Sequence, residues 1–271
     1  MHAAEPVRIL VRSRRHAATS GASGVVVTHA PHPDLARCLA ALAPQVDELV
    51  VVANLPLGTI ELPPNARLLE NERRLGFGAN VNRGAAETSG GFVVIANPDT
   101  EPEPHAVERL REFAAARPRC GIAGPQLRYP DGRWQPSRRR FPTVGGTLVR
   151  RTPLRYALRP FERQRSHYLL DEQPTEPAPA DWMLGAFLLL RREMLDELGG
   201  FDERFRLYGE DIELCYRAAK AGWERWYVPA AVVTHRYAAE IDRKLLTRRT
   251  LWHWRGMLRF VRKHPERLRA L

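Results

Sequence analysis

The chain has 271 residues, 44% of them apolar and 27% charged. This is enough to bury a core in one large or two small domains, and it excludes collagen-like, disulfide-built and wholly disordered chains. Lys and Arg total 42 against 31 Asp and Glu, a formal charge of +11, and the excess is concentrated. Residues 128–167 hold eleven Arg against Asp131 and Glu162, and residues 241–271 hold ten Lys or Arg against Asp242 and Glu266. Two basic segments on a mildly acidic body suit phosphate-bearing partners: nucleic acid, an anionic membrane surface or a phosphorylated ligand. The three cysteines, Cys38, Cys120 and Cys215, show no CxxC spacing. They argue against a disulfide framework or a zinc site and for a reducing, cytoplasmic setting. No apolar run reaches the roughly 18 residues of a bilayer span. Residues 1–22 lack the long apolar core of a secretory signal and read as a mobile leader or an overextended start.

In chain order, Val25–Thr28 is a β-branched run readable as a buried strand, stopped by Pro31 and Pro33. A helix is expected over Asp34–Leu42, with Leu35, Leu39 and Leu42 on one face. Leu49–Val52 and Ala66–Leu69 read as strands, separated by a turn-rich stretch. A helix opens at Gly76-Phe77-Gly78 and runs to Glu87; Phe92–Ala96 is a fourth strand; Thr100 is expected to cap a helix over Glu103–Ala116. This alternation is best satisfied by a mostly parallel sheet covered on both faces. Residues 128–180, rich in Arg and Pro, read as a long loop region. Trp182–Arg192 is an apolar run, Glu193–Leu198 a short helix closed by Gly199-Gly200, and Glu210–Ala221 another helix. Trp226–Val228 and Ala231–Thr234 read as two late strands, and Lys244–Arg262 as an amphipathic helix.

Four places could carry chemistry. Asn97-Pro98-Asp99 follows a strand, where α/β sheets place ligands. Asp99 is a hard oxygen ligand suited to Mg²⁺ or Mn²⁺ on a diphosphate, although the tripeptide also reads as a plain turn. Glu210-Asp211 opens a helix; the pair could complement the helix dipole or supply a general base. Trp182 and Gly185 could shape a ligand pocket or belong to a buried strand. His235, after a late strand, reads as structural or as a second metal ligand beside Asp99.

The order of these blocks is more specific than any one of them. Val25-Val26-Val27-Thr28 is followed by Asn71 and the run Leu75-Gly76-Phe77-Gly78-Ala79-Asn80-Val81-Asn82-Arg83-Gly84. Asn97-Pro98-Asp99-Thr100, Trp182 with Gly185-Ala186-Phe187, and Arg191-Arg192 come next. Then come Gly199-Gly200-Phe201-Asp202-Glu203-Arg204-Phe205, the run from Gly209 to Arg217, and His235. From Gly24 to Pro265 the chain resembles the inverting glycosyltransferases of family 2, and within them the rhamnosyltransferase-like branch of cell-wall and O-antigen synthesis.

The resemblance implies a GT-A fold: an α/β domain over residues 23–240 with a Rossmann-like, mostly parallel sheet, an acceptor-side loop at 128–180, and a basic helical tail at 241–271. It implies a nucleotide-sugar donor, such as dTDP-rhamnose, held by Thr28, Asn54, Gly76, Asn80, Asn97, Asp99 and Gly185. It implies Mg²⁺ or Mn²⁺ on Asp99 and His235, Asp211 as general base with Glu210 beside it, and a glycan or lipid-linked acceptor met by Trp182, Glu210 and Arg139. One base suffices for a single displacement with inversion, whereas a retaining reaction would need a second carboxylate as nucleophile.

The chain departs from the family pattern at two points. Ala53 stands where an Asp for the nucleotide is expected, and Thr28-His29 replaces Thr-Tyr or Ser-Tyr. Ala53 therefore raises a non-catalytic, transferase-like scaffold as the first alternative, and the +11 charge a basic nucleic-acid-binding protein as the second. A nucleotidyltransferase lacks support because no Gly- and Lys-rich loop follows the first strand. Nucleic acid is not an expected partner, because no RNP, helix-turn-helix or zinc-finger signature accompanies the charge. Arg138-Arg139-Arg140 could hold a lipid diphosphate or an anionic headgroup. The tail, with Trp252 and Trp254 among arginines, suits the inner face of a membrane. It could equally dock on the body of the protein or pair with another copy as a homodimer.

Overall fold

The computed structural model describes residues 20–142, 169–236 and 248–268. Most of the leader, the centre of the 128–180 region and both ends of the tail lie outside the described residues. In chain order the elements are β1 (Ala22–Thr28), α1 (Leu35–Leu42), β2 (Glu48–Ala53), β3 (Ala66–Glu70), α2 (Phe77–Ala86), β4 (Phe92–Ala96), β5 (Thr100–Pro102), α3 (Ala106–Ala115) and β6 (Cys120–Arg128). There follow β7 (Trp134–Gln135), β8 (Arg138–Arg139), β9 (Ala178–Pro179), β10 (Trp182–Met183), β11 (Phe187–Arg191), α4 (Arg192–Leu198), α5 (Glu210–Lys220), β12 (Glu224–His235) and α6 (Arg248–Lys263).

The main sheet has the order β3-β2-β1-β4-β11-β6-β12-β5. β1, β2, β3 and β4 pair in parallel, as do β6 and β12, while β11 runs antiparallel between β4 and β6. Strands covered on both faces need apolar residues at every position rather than at alternate ones. In β1, Val26 faces the layer holding Leu35, Leu39 and Leu110, from α1 and α3, while Val25 and Val27 face the layer holding Val81, Met194 and Phe260, from α2, α4 and α6. β2 and β4 divide in the same way: Val51 and Val94 face the first layer, Val52 and Ile95 the second. Each fully buried side chain of this kind contributes roughly 1.5–3 kcal/mol.

Three features differ from the sequence expectations. β6, a strand in the middle of the sheet, carries no uninterrupted apolar run because Gly121, Gly124 and Pro125 break it. A Cβ at Gly124 would lie 2.5 Å from the Met183 sulfur, so the methionine occupies the space a side chain would need. Thr100 does not cap α3: it begins β5 and lies opposite His235 of β12, and His105, at φ 65°, stands at the N-cap. The two expected late strands are one, β12, whose register with β6 slips between Val228 and Val232, around the Pro229 that lacks a ladder donor.

Candidate active site

β4 ends at Ala96 beside the start of β11, where Phe187 lies opposite Ala96. One residue further, the Asn97 amide donates to the Ala186 carbonyl at 2.8 Å. The Asn97 carbonyl accepts from the Thr100 hydroxyl at 2.7 Å. Asn97-Pro98-Asp99 is thus a turn, and that turn is what presents Asp99. The Asp99 carbonyl accepts from the Arg236 amide at 2.9 Å, joining the turn to the end of β12. His235, the last residue of β12, sets Nε2 3.5 Å from Asp99 Oδ2. Its Nδ1 lies 2.9 Å from Gln135 Oε1. With Nδ1–H donating to that amide oxygen, the lone pair of Nε2 faces the Asp99 carboxylate. Burial pushes the His235 pKa down, against the opposing pull of Asp99, so the imidazole stays neutral.

Two lone-pair donors facing each other, one of them oriented by a further hydrogen bond, fit a cation between them. Among the described residues no third His, Cys, Asp or Glu joins the pair. That matches Mg²⁺ or Mn²⁺ bound by few protein ligands and completed by phosphate oxygens and water.

The second acidic site lies across the β4–β11 junction. Tyr208 and Gly209 take left-handed backbone, φ 69° and 91°, and α5 begins directly after them. Asp211 Oδ1 accepts from the Ile212 amide at 2.8 Å, and Oδ2 from the Gly185 amide at 3.2 Å. Burial raises the Asp211 pKa to about 6, while those amides and the Arg139 guanidinium work against the rise. Glu210 is buried, its Oε2 has no hydrogen-bond partner among the described residues, and burial followed by the Asp211 charge raises its pKa to about 8. Burial thus favours the protonated form of both carboxyl groups, and of Glu210 more than of Asp211. Two adjacent carboxyl groups shifted unequally by their surroundings can serve as an acid–base arrangement. Gly185 links the two sites: its amide holds Asp211, and its neighbour Ala186 holds Asn97.

β8 and β10 form a two-stranded ribbon beside this junction, with Arg139 opposite Trp182. The Trp182 indole donates to the Arg140 carbonyl at 2.8 Å. Arg138 is taken up structurally, donating to Glu172 at 2.5 Å and to the Pro179 carbonyl at 3.1 Å. Arg138, Arg140, Asp181 and Arg225 line a cavity of about 370 Å³ on the ribbon.

The donor-side residues expected near β1 and β2 form a network. Asn54 Oδ1 accepts from Asn71 Nδ2 and from the Leu75 amide, both at 2.8 Å, and Asn54 Nδ2 donates to the Leu75 carbonyl at 3.0 Å. Asn71 also donates to Asn80 Oδ1 at 2.6 Å, and Arg83 bonds Asn71. These contacts fix the loop before α2, where the Gly76 carbonyl accepts the Asn80 amide. Asn80 Nδ2 is buried without a hydrogen-bond partner among the described residues. Thr28 bonds the Ala30 carbonyl at 2.6 Å and shapes the end of β1. Ala53 is fully buried among apolar residues that include Leu35 and Leu57, so an acid there would be a charge in the core.

The paired arginines after β11 are staples. Arg191 donates to the carbonyls of Cys120, Ala114 and Arg117, and Arg192 to those of Gly90 and Ala85. Gln135 and Arg236 were missed by sequence reasoning. Gln135 stands 100 residues from the histidine it orients. Arg236 pairs with Glu101 at 3.1 Å and Asp34 at 3.6 Å, and nothing local marks it.

The profile described as "Glycosyltransferase like family 2" matches residues 35–254. The chain is 35% identical to the N-acetylglucosaminyl-diphospho-decaprenol L-rhamnosyltransferase of Mycobacterium tuberculosis, over 81% of this chain and 77% of that protein. Among solved structures, GalNAc-T7 with UDP, GalNAc and Mn²⁺ superposes with a TM-score of 0.64 at 18% identity, covering 89% of this chain and 47% of that one. The glucosyl-3-phosphoglycerate synthase of M. tuberculosis, with Mn²⁺, UDP and phosphoglyceric acid, superposes at 0.56 and 20% identity, covering 89% and 78%. The chain belongs to glycosyltransferase family 2, has the GT-A fold, and is rhamnosyltransferase-like within the family.

Proposed function

We propose that the protein transfers L-rhamnose from a nucleoside-diphosphate donor, dTDP-rhamnose, to a sugar carried on a polyprenyl diphosphate, with inversion. On this reading it works in cell-envelope polysaccharide synthesis, in the cytoplasm and against the inner face of the membrane. The rhamnosyltransferase relative, similar along most of both chains, supports the donor sugar and the acceptor class. The observation that carries the chemistry is Asp211, a buried carboxyl group steered by the Gly185 amide one residue from the backbone that holds Asn97.

Asp211 takes the proton of the acceptor hydroxyl as that oxygen attacks the anomeric carbon. Glu210, retaining its proton, adds no second negative charge beside it. Arg139 and Trp182 flank the acceptor side of the base. Asp99 and His235 would hold the divalent ion, which when bound would supply charge neutralisation to the departing diphosphate. Asn54 and Asn80 keep the loop before α2 in shape for the nucleotide, and the base is read without an acid at position 53.

Nucleoside-diphosphate release would be followed with dTDP-rhamnose, UDP-hexoses and GDP-mannose, with Mg²⁺ or Mn²⁺ and with EDTA. Metal-dependent release from dTDP-rhamnose alone, increased by a lipid-linked acceptor, is expected. No release from any donor, together with no donor-induced thermal stabilisation, would favour a transferase-like scaffold.

A further inference from the structure

α6 has two faces of opposite character. Met257 and Phe260 are buried on one side, and Phe260 and His264 pack on Tyr216 of α5 at 5.5 and 4.6 Å between ring centroids. Lys263 Nζ bonds Asp202 at 2.6 Å and the fully buried Glu213 at 2.5 Å, fastening the end of the helix to the body. On the other side Leu251 is 50% exposed, Trp252 37% and Leu258 51%, and these are the exposed large apolar side chains among the described residues. Arg255, Arg259 and Arg262 are exposed between them. At about 100° per residue, these six positions fall within an arc of about 120°, centred opposite the face that carries Met257 and Phe260. The helix holds no acidic residue.

We infer that this outer face of α6 seats the protein on an anionic bilayer, with the apolar side chains entering the headgroup boundary and the arginines meeting lipid phosphates. An apolar stripe exposed alone would suit a second copy of the chain. Three arginines interleaved with it would repel their counterparts across a two-fold interface, whereas they complement an anionic surface. The inference deepens the polyprenyl-acceptor reading and rests on it for its purpose. It also accounts for a close contact: a Cβ on Gly256 would lie 2.3 Å from the Tyr208 carbonyl, so only glycine lets α6 press on the turn that opens α5. The helix that meets the bilayer thus touches the backbone that sets Glu210 and Asp211, fixing the base at a set height above the lipid.

The test is co-sedimentation of the full chain with phosphatidylglycerol-containing vesicles and with pure phosphatidylcholine vesicles. The wild type is compared with Leu251→Ser/Trp252→Ser/Leu258→Ser, with Arg255→Glu/Arg259→Glu/Arg262→Glu, and with an equal charge reversal elsewhere, Arg73→Glu/Arg74→Glu/Arg133→Glu. The expected result is binding to the anionic vesicles only, weakened about tenfold or more in both α6 variants and largely retained in the control. Equal loss in the control would show that net charge alone drives binding and would overturn the inference. So would absence of wild-type binding, or a concentration-dependent dimer abolished by the apolar variant. Transfer to a water-soluble acceptor analogue, measured alongside, separates the two claims: it survives in the α6 variants if the transferase reading holds, whatever the vesicles show.

Discussion

The half of the sheet that ends at Asp99 and the half that ends at Asp211 are built differently. β1, β2 and β4 are continuous apolar strands paired with one another in parallel register, and Asp99 leaves them on a short turn fixed by backbone hydrogen bonds and the Thr100 hydroxyl. The base side is assembled from distant parts: a helix start, the Gly185 amide, a two-residue ribbon and the C-terminal helix pressing on Tyr208. The first half supports a partly exposed carboxylate where a cation and phosphates can enter. The second keeps a carboxyl pair buried, which favours the protonated form, of Glu210 above all. The contrast teaches that the metal-binding and proton-accepting roles proposed for Asp99 and Asp211 would rest on separate scaffolds and should fail separately.

Breaking the base should have the largest effect. Asp211→Asn is expected to lower kcat about a thousandfold, the scale of a lost general base, with donor KM little changed in steady-state transfer assays. Unfastening α6 comes next. Lys263→Met takes one cation from buried Glu213 and one from Asp202, leaving them Arg217 and Arg204, and should cost about 2 kcal/mol in denaturant unfolding. Asp202 is held below the usual carboxylate range by Arg204 and Lys263, despite the upward pull of its burial. Its stabilisation is therefore present above that range and is lost on acidification.

Two further measurements sharpen the comparison. A carboxylate raised to about 6 by burial is protonated below that pH. The transfer rate should fall about tenfold per pH unit on the acid side of 6, and Asp211→Asn should abolish this limb. A limb centred near 4 would mean that the base is better solvated than its surroundings indicate. The smallest change is expected on the metal side from Gln135→Leu, which removes the partner that orients His235. It should raise the half-saturating Mn²⁺ concentration roughly tenfold while leaving the pH profile in place.

Much of the first half was legible in the sequence, because doubly covered parallel strands carry their signal in every residue. Val25–Thr28 and Phe92–Ala96 needed no knowledge of their partners. The second half was less so. β6 hides behind Gly121, Gly124 and Pro125, which make sense only beside Met194 and Met183. Thr100 looked like a helix cap because the pairing of β5 with β12 spans more than a hundred residues. Asp99, His235, Glu210 and Asp211 were visible as residue types in a familiar order. The resemblance also implied the pairs Asp99–His235 and Glu210–Asp211; the groups that orient them, Gln135 and the Gly185 amide, and the effect of burial on their protonation were not legible. Arg191 and Arg192 stood out as a motif, and the structure uses them on carbonyls at element ends.

The separation of the two scaffolds is tested most directly by measuring Mn²⁺-dependent binding of the donor's nucleoside diphosphate to Asp99→Ala and Asp211→Asn by calorimetry. The account predicts that Asp211→Asn binds as the wild type does while failing to transfer, and that Asp99→Ala loses the metal-dependent part of binding. Loss of nucleotide binding in Asp211→Asn, or unchanged metal dependence in Asp99→Ala, would contradict it.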